Sequence, residues 1–133
     1  GVLKRGLQAR QLEKDFASRH GVACCRAFLS FSAALCASLR ALGVGSEDEV
    51  IVPPFAAPPV VSAILLSGAK PVFADVDPLT LSLTRSGVTA CLSPRTRAVV
   101  ASHSFGLPAD VDAIREAAPG VAIVEDCSQS LLA

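Results

Sequence analysis

The apolar residues of this chain keep changing their period. Short unbroken runs such as Val50-Ile51-Val52, Val72-Phe73-Ala74, Ala98-Val99-Val100-Ala101 and Val121-Ala122-Ile123-Val124 are separated by stretches with apolar residues every three or four positions. A strand with one wet face alternates apolar and polar side chains. An unbroken run is buried on both faces, as in a parallel sheet covered by helices on each side. Runs and helical stretches recurring at intervals of about 25 residues read as βαβ units. The expected fold class is α/β, a three-layer α/β/α arrangement with a mainly parallel sheet, in a single domain over residues 1–133.

Local signals place the elements. Arg10 to Arg19 sets Leu12 and Phe16 on one face of a short helix that Gly21 stops, and Val22 to Phe28 reads as a strand. Ser32 to Leu42 puts Leu35, Leu39 and Leu42 at helical spacing, with Ser30 or Ser32 as cap and Gly43 as terminator. Glu49 to Val52 is a strand, and Pro59 to Leu66 a helix after a proline-rich turn. Pro71 to Ala74 is a strand ending at Asp75, and Thr84 to Leu92 a weak helix broken by Gly87. Arg97 to Ser102 is a strand, Asp110 to Ala118 a helix with Val111 and Ile114 inward, and Val121 to Glu125 the last strand.

Composition excludes several classes of function. Acidic and basic residues balance at 12 each without clusters, so neither nucleic acid nor an anionic membrane is an expected partner. With no Trp or Tyr, stacking platforms for exposed bases are scarce. The uncharged stretch from Val50 to Ala69 is interrupted by Pro53, Pro54, Pro58 and Pro59, which argues against a spanning helix. Five cysteines without paired CxxC spacing give no metal site, and point to a reducing cytoplasm. Cys24 and Cys25 read as small buried hydrophobes on opposite faces of a strand, and Cys127 as a candidate reactive thiol. A chain that starts at Gly1 and has no methionine reads as a processed or excised piece of something longer.

Four segments could carry chemistry. Ser30-Phe31-Ser32 joins a strand to a helix N-terminus, where the positive end of the dipole and the hydroxyls suit a phosphate; simple capping is the alternative. Gly43 to Pro53 is an acidic turn entering a buried strand, read as solvated charge at a sheet end. His103 follows a buried strand at its carboxyl end, in reach of the same crevice as Asp126, either as an acid/base group or held by structural hydrogen bonds. Asp126 ends the last strand, where ligands of parallel sheets sit. A carboxylate there can keep a heteroaromatic nitrogen protonated, with Gln129 as a further donor; a solvated pair with Glu125 is the alternative.

Taken in order, five pieces of the chain resemble the DegT-like (DegT/DnrJ) sugar aminotransferases, pyridoxal-phosphate enzymes of fold type I. They are Leu39 to Gly45 leading to Asp48 to Pro53; Gly68 to Asp77; Ser93 to Val99; His103 to Gly106 followed by Pro108 to Ile114; and Glu125-Asp126-Cys127-Ser128-Gln129. The resemblance implies the N-terminal part of an aminotransferase large domain. It makes Asp126 the partner of the pyridinium nitrogen, Gln129 a contact to the ring hydroxyl, and Ser32 the hydroxyl of the phosphate turn.

The departures from the family pattern are specific. Phe31 stands where a glycine or alanine is usual, and Ala56 and Ala57 stand in place of a threonine and a ring-stacking aromatic. Losing that stacking would weaken cofactor binding by about 1 kcal/mol. Lys4, Lys14 and Lys70 are the lysines, and by the resemblance none is expected to occupy the place of the Schiff-base lysine, nor is the family's C-terminal small domain expected within these 133 residues. The implied reaction moves an amino group between glutamate or glutamine and a keto-sugar nucleotide, in a cytoplasmic homodimer, with this chain incomplete for catalysis. Sugar dehydratases share the scaffold. A degenerate binding or dimerisation module is the competing expectation, motivated by Phe31, Ala56 and Ala57. An unrelated doubly wound nucleotide-binding domain would need a glycine-rich first turn that Ser30-Phe31-Ser32 does not offer.

Overall fold

The computed structural model describes residues 6–130. They divide into two compact units, Gly1–Ser30 and Phe31–Ala133. In the first, helix α1 spans Leu7–His20 and ends where Gly21 takes a left-handed φ of 63°. Arg19 and His20 suit the negative end of its dipole, and the His20 ring stacks on Phe16 at 4.3 Å. The Glu13 carboxylate, on a buried residue, accepts from the backbone N–H of Ala27 at 2.9 Å and folds the following segment back along the helix.

Two expectations fail in this unit. Residues 22–28 form no strand, because a strand is held by a neighbour's ladder and this segment pairs with none of the four strands described. Cys24 is accordingly exposed and Cys25 half-exposed, neither a core residue. Leu12 is exposed as well.

The second unit is built on a four-stranded, all-parallel sheet in the order β2-β1-β3-β4. Its strands are β1 (Glu49–Val52), β2 (Lys70–Phe73), β3 (Thr96–Ser102) and β4 (Ala122–Asp126). Helices α2 (Phe31–Ala41), α3 (Pro58–Ser67), α4 (Arg85–Cys91) and α5 (Val111–Ala117) connect and cover them. The central strands β1 and β3 are buried where the sequence is unbroken aliphatic, whereas the outer strands are only partly covered. Pro71, which cannot donate to a ladder, lies on the outer strand β2.

Alternation along the strands sorts the core into two. Val50, Val52, Ala98 and Val100 pack with Leu35 and Leu39 of α2 and Val60, Ala63 and Ile64 of α3. Ile51, Val99 and Ala101 face the other way, onto Val88 of α4 and Ile114 and Ala117 of α5. This gives three layers, α/β/α. Leu42 falls beyond the end of α2 and is exposed, and Val111 is only half-buried.

Two further corrections concern turns. Helix α4 runs through Gly87 without a break: a Cβ there would lie 2.3 Å from the carbonyl oxygen of Asp75, so the glycine permits close packing rather than ending the helix. Glu49 is not solvated. Only 6% exposed, it accepts from Ser93 Oγ at 2.7 Å and from Arg95 Nη2 at 2.8 Å, with Lys70 Nζ at 3.7 Å.

Candidate cofactor site

Strand order places β1 and β3 side by side while their connections leave on opposite faces. Ligands of doubly wound sheets bind beyond the carboxyl ends of the strands at such a switch point. The chain segments at that rim are 53–57 after β1, 103–110 after β3 and 127–130 after β4.

Asp126 closes β4 and lines a crevice with Phe31, Ala34, Leu35 and Ser38 of α2 and with Val124. Its side-chain hydrogen bond among the described residues is from the backbone N–H of Ser128 to Oδ1, at 3.0 Å. The N-terminus of α2 reaches the same rim, because α2 descends to Gly43 and the opposite end of β1. Ser32 Oγ donates to the carbonyl of Pro59 at 3.2 Å, which ties the first turn of α2 to that of α3. Two positive helix ends therefore meet at the rim, although Pro58 and Pro59 leave α3 without N–H donors in its first two positions. Ala57 precedes them as an exposed residue with no side chain to stack on a ring.

Gln129 is fixed from the neighbouring turn. The backbone N–H of Phe105 donates to its Oε1 at 3.0 Å, which leaves the amide NH₂ as the available donor. Phe105 holds this contact from a left-handed φ of 57° and is itself exposed, a conformation that an L-residue adopts at some cost.

His103 reaches the rim but turns away from Asp126. Its backbone N–H bonds the Asp126 carbonyl at 3.0 Å, while its buried ring packs on Glu125, one residue out of phase and so on the opposite face. Nδ1 accepts from the backbone N–H of Ala109 at 3.0 Å, so in the neutral ring Nε2 carries the proton and faces Glu125 Oε2 at 3.2 Å. Both nitrogens are thereby engaged in structural bonds. Donor atoms of His103, Glu125 and Cys127 lie within 4.8 Å of one another, yet that tautomer leaves Nε2 no lone pair for a metal. Partial desolvation first, then Glu125 and Asp126, push the Cys127 thiol up; it is not an activated thiolate.

Sequence reasoning missed Ser102 and Ser130. Ser130 Oγ donates to the His103 carbonyl at 2.6 Å and pins the segment after β4. Ser102 ends β3 beside Asp126, and a hydroxyl closing an aliphatic run was the available signal. The crevice measures about 130 Å³. Small-molecule pockets span roughly 300–1,000 Å³, so these residues make one wall of a site rather than an enclosed cavity.

Comparison with known proteins places this geometry. The model of the DegT/DnrJ/EryC1/StrS aminotransferase family matches residues 1–133. The UDP-N-acetyl-3-dehydro-alpha-D-glucosamine 3-aminotransferase of Acidithiobacillus ferrooxidans is 42% identical over 128 residues, covering 95% of this chain and 35% of that protein. An aminotransferase structure from Psychrobacter cryohalolentis superposes with a TM-score of 0.90 at 35% identity, over 96% of this chain and 33% of that one. The Bacillus subtilis NtdA structure with bound cofactor PMP gives a TM-score of 0.91 at 27% identity, over 96% and 30%. The chain spans about a third of the length of the relatives it matches.

Proposed function

The chain belongs to the DegT/DnrJ/EryC1/StrS aminotransferase family, and on that premise we propose that it forms the cofactor-holding wall of a pyridoxal-phosphate-dependent sugar aminotransferase. The observation that carries this reading is Asp126 at the end of a parallel strand, lining a crevice with the first turns of α2. The residues present fit the ring end of the cofactor. Asp126 offers an acceptor to the pyridinium N–H, and the Gln129 amide offers a donor to the ring hydroxyl. At the phosphate end the first turn of α2, with Ser32, supplies the positive dipole.

Bound in this way, pyridoxal phosphate supplies an electron sink for a carbanion. The chain's own contributions are simpler. Asp126 holds a proton on the ring nitrogen by its charge, Gln129 orients the ring, and the aliphatic floor of Leu35 and Val124 excludes water from the α2 side. Lys70 begins β2 at the opposite rim and is not placed to attach the cofactor; Lys14 lies in α1, in the other unit, and Lys4 falls outside the described residues. Asp126, Gln129 and Ser32 are thus assigned to binding and orientation rather than to the covalent link. A keto-sugar nucleotide as acceptor and glutamate or glutamine as donor complete the proposal, supported by the resemblance to the glucosamine 3-aminotransferase. A cytoplasmic homodimer is expected as well, and Phe55 and Phe105 stand exposed at the same rim.

Titration of the intact protein with pyridoxal phosphate, followed by absorbance, tests this. Binding should weaken about ten-fold or more in Asp126→Asn, as expected for loss of a hydrogen bond to a charged group. Borohydride reduction should leave Lys4, Lys14 and Lys70 unmodified. A protein that binds no pyridoxal phosphate sinks the reading and favours the second one, a non-catalytic binding or dimerisation module. Phe31 lining the crevice is the observation behind that alternative.

A further inference from the structure

Ser102 Oγ is the buried side-chain polar atom that finds no hydrogen-bond partner among the described residues, on a residue only 6% exposed. Equally buried hydroxyls elsewhere are satisfied: Ser67 Oγ donates to the Ile64 carbonyl at 2.7 Å and Ser130 Oγ to that of His103 at 2.6 Å. A buried hydroxyl without a partner costs folding free energy and gives no packing that alanine lacks, so its presence calls for a partner acquired in another state.

Register identifies that partner. Ser102 and Asp126 are paired residues of β3 and β4, so their side chains stand next to each other on one face of the sheet, on strands about 4.8 Å apart. The same face is otherwise aliphatic there, with Val52, Val100 and Val124. The hydroxyl is too buried to touch a ligand in the open crevice, whereas rotation about χ1 swings it toward the adjacent carboxylate. Asp126 has Oδ1 held by Ser128, and Oδ2 is without a hydrogen bond among the described residues.

We propose that Ser102 is a positioning residue for Asp126: in the loaded site its hydroxyl donates to the Asp126 carboxylate and fixes it toward the cationic edge of the bound ring. The inference rests on the cofactor reading above. It predicts opposite effects on two properties, since the hydroxyl is a burden to the unloaded fold and an asset to the loaded one.

The test compares Ser102→Ala, Ser102→Thr, Asp126→Asn and the Ser102→Ala/Asp126→Asn pair in the intact protein. Without cofactor, Ser102→Ala should melt no lower than the parent. With pyridoxal phosphate it should bind about five-fold more weakly, the size expected for one hydrogen bond, while Ser102→Thr, which keeps the hydroxyl, binds like the parent. In the Asp126→Asn background Ser102→Ala should change affinity little. Isotope-edited infrared difference spectra of the loaded protein should show the Asp126 carboxylate stretch shifted by Ser102→Ala. Parent-like affinity and an unshifted stretch in Ser102→Ala, with Asp126→Asn weakened, overturn the role of Ser102 and leave the cofactor reading standing. Parent-like affinity in Asp126→Asn overturns both.

Discussion

Glu49 shows how much one side chain at a strand start can organise. Its carboxylate gathers Ser93, Arg95 and Lys70, and its backbone N–H donates to the Arg95 carbonyl at 2.8 Å, so a single residue joins β1 to the segment before β3. The Ser93 hydroxyl holds this carboxyl below its ordinary value, against desolvation and with help from the Arg95 and Lys70 charges. A lowered pKa in the folded state means that the stabilisation is present above the ordinary carboxylate value. It is lost as pH falls through the lowered one. Glu49→Gln should therefore unfold at lower urea than the parent at neutral pH, and the difference should shrink once the medium is acid enough to protonate Glu49. A gap that persists unchanged in acid would mean that the charge is not what Glu49 contributes.

At the level of elements, α4 teaches the most. Thr84 caps it by accepting from the Gly87 N–H at 3.0 Å, and Gly87 lets the helix lie against the Asp75 carbonyl. Gly87→Ala should destabilise by about 1–3 kcal/mol in chemical denaturation, the usual cost of overpacking, although alanine is the better helix former. A stabilised variant would show that the close approach relaxes freely. The same element marks the limit of what sequence could tell: glycine reads as a breaker locally, and only the neighbour at Asp75 reveals its use. By contrast, β1 matches its expected residues Glu49 to Val52, because an aliphatic run between an acidic turn and a proline has few other solutions. The run at 121–125 likewise led to Asp126 at a strand end, one residue later than expected. Residues 22–28 misled for the converse reason, since β-propensity without a ladder makes no strand. The outward turn of His103 and the unpaired Ser102 depend on register between segments distant in the chain, which periodicity does not encode.

The sheet as a whole has two unlike rims. At the strand starts, ion pairs join Glu49 to Lys70 and Arg95 and Asp48 to Arg97. At the strand ends lie the unpartnered hydroxyl of Ser102, the half-engaged carboxylate of Asp126 and the strained backbone of Phe105. Seven residues of β3 separate the rims, which at ~3.3 Å per residue is roughly 20 Å. Substitutions that far apart with no shared partners are expected to combine additively. The Glu49→Gln/Asp126→Asn pair should accordingly show the urea midpoint loss of the first and the cofactor weakening of the second, each unaltered by the other. A coupled response would reveal a strain path along β3. If the two effects stay separate, the charge cluster at the strand starts acts as ballast: reinforcing it would give the opposite rim room to accumulate changes in specificity that a less firmly moored sheet would not survive.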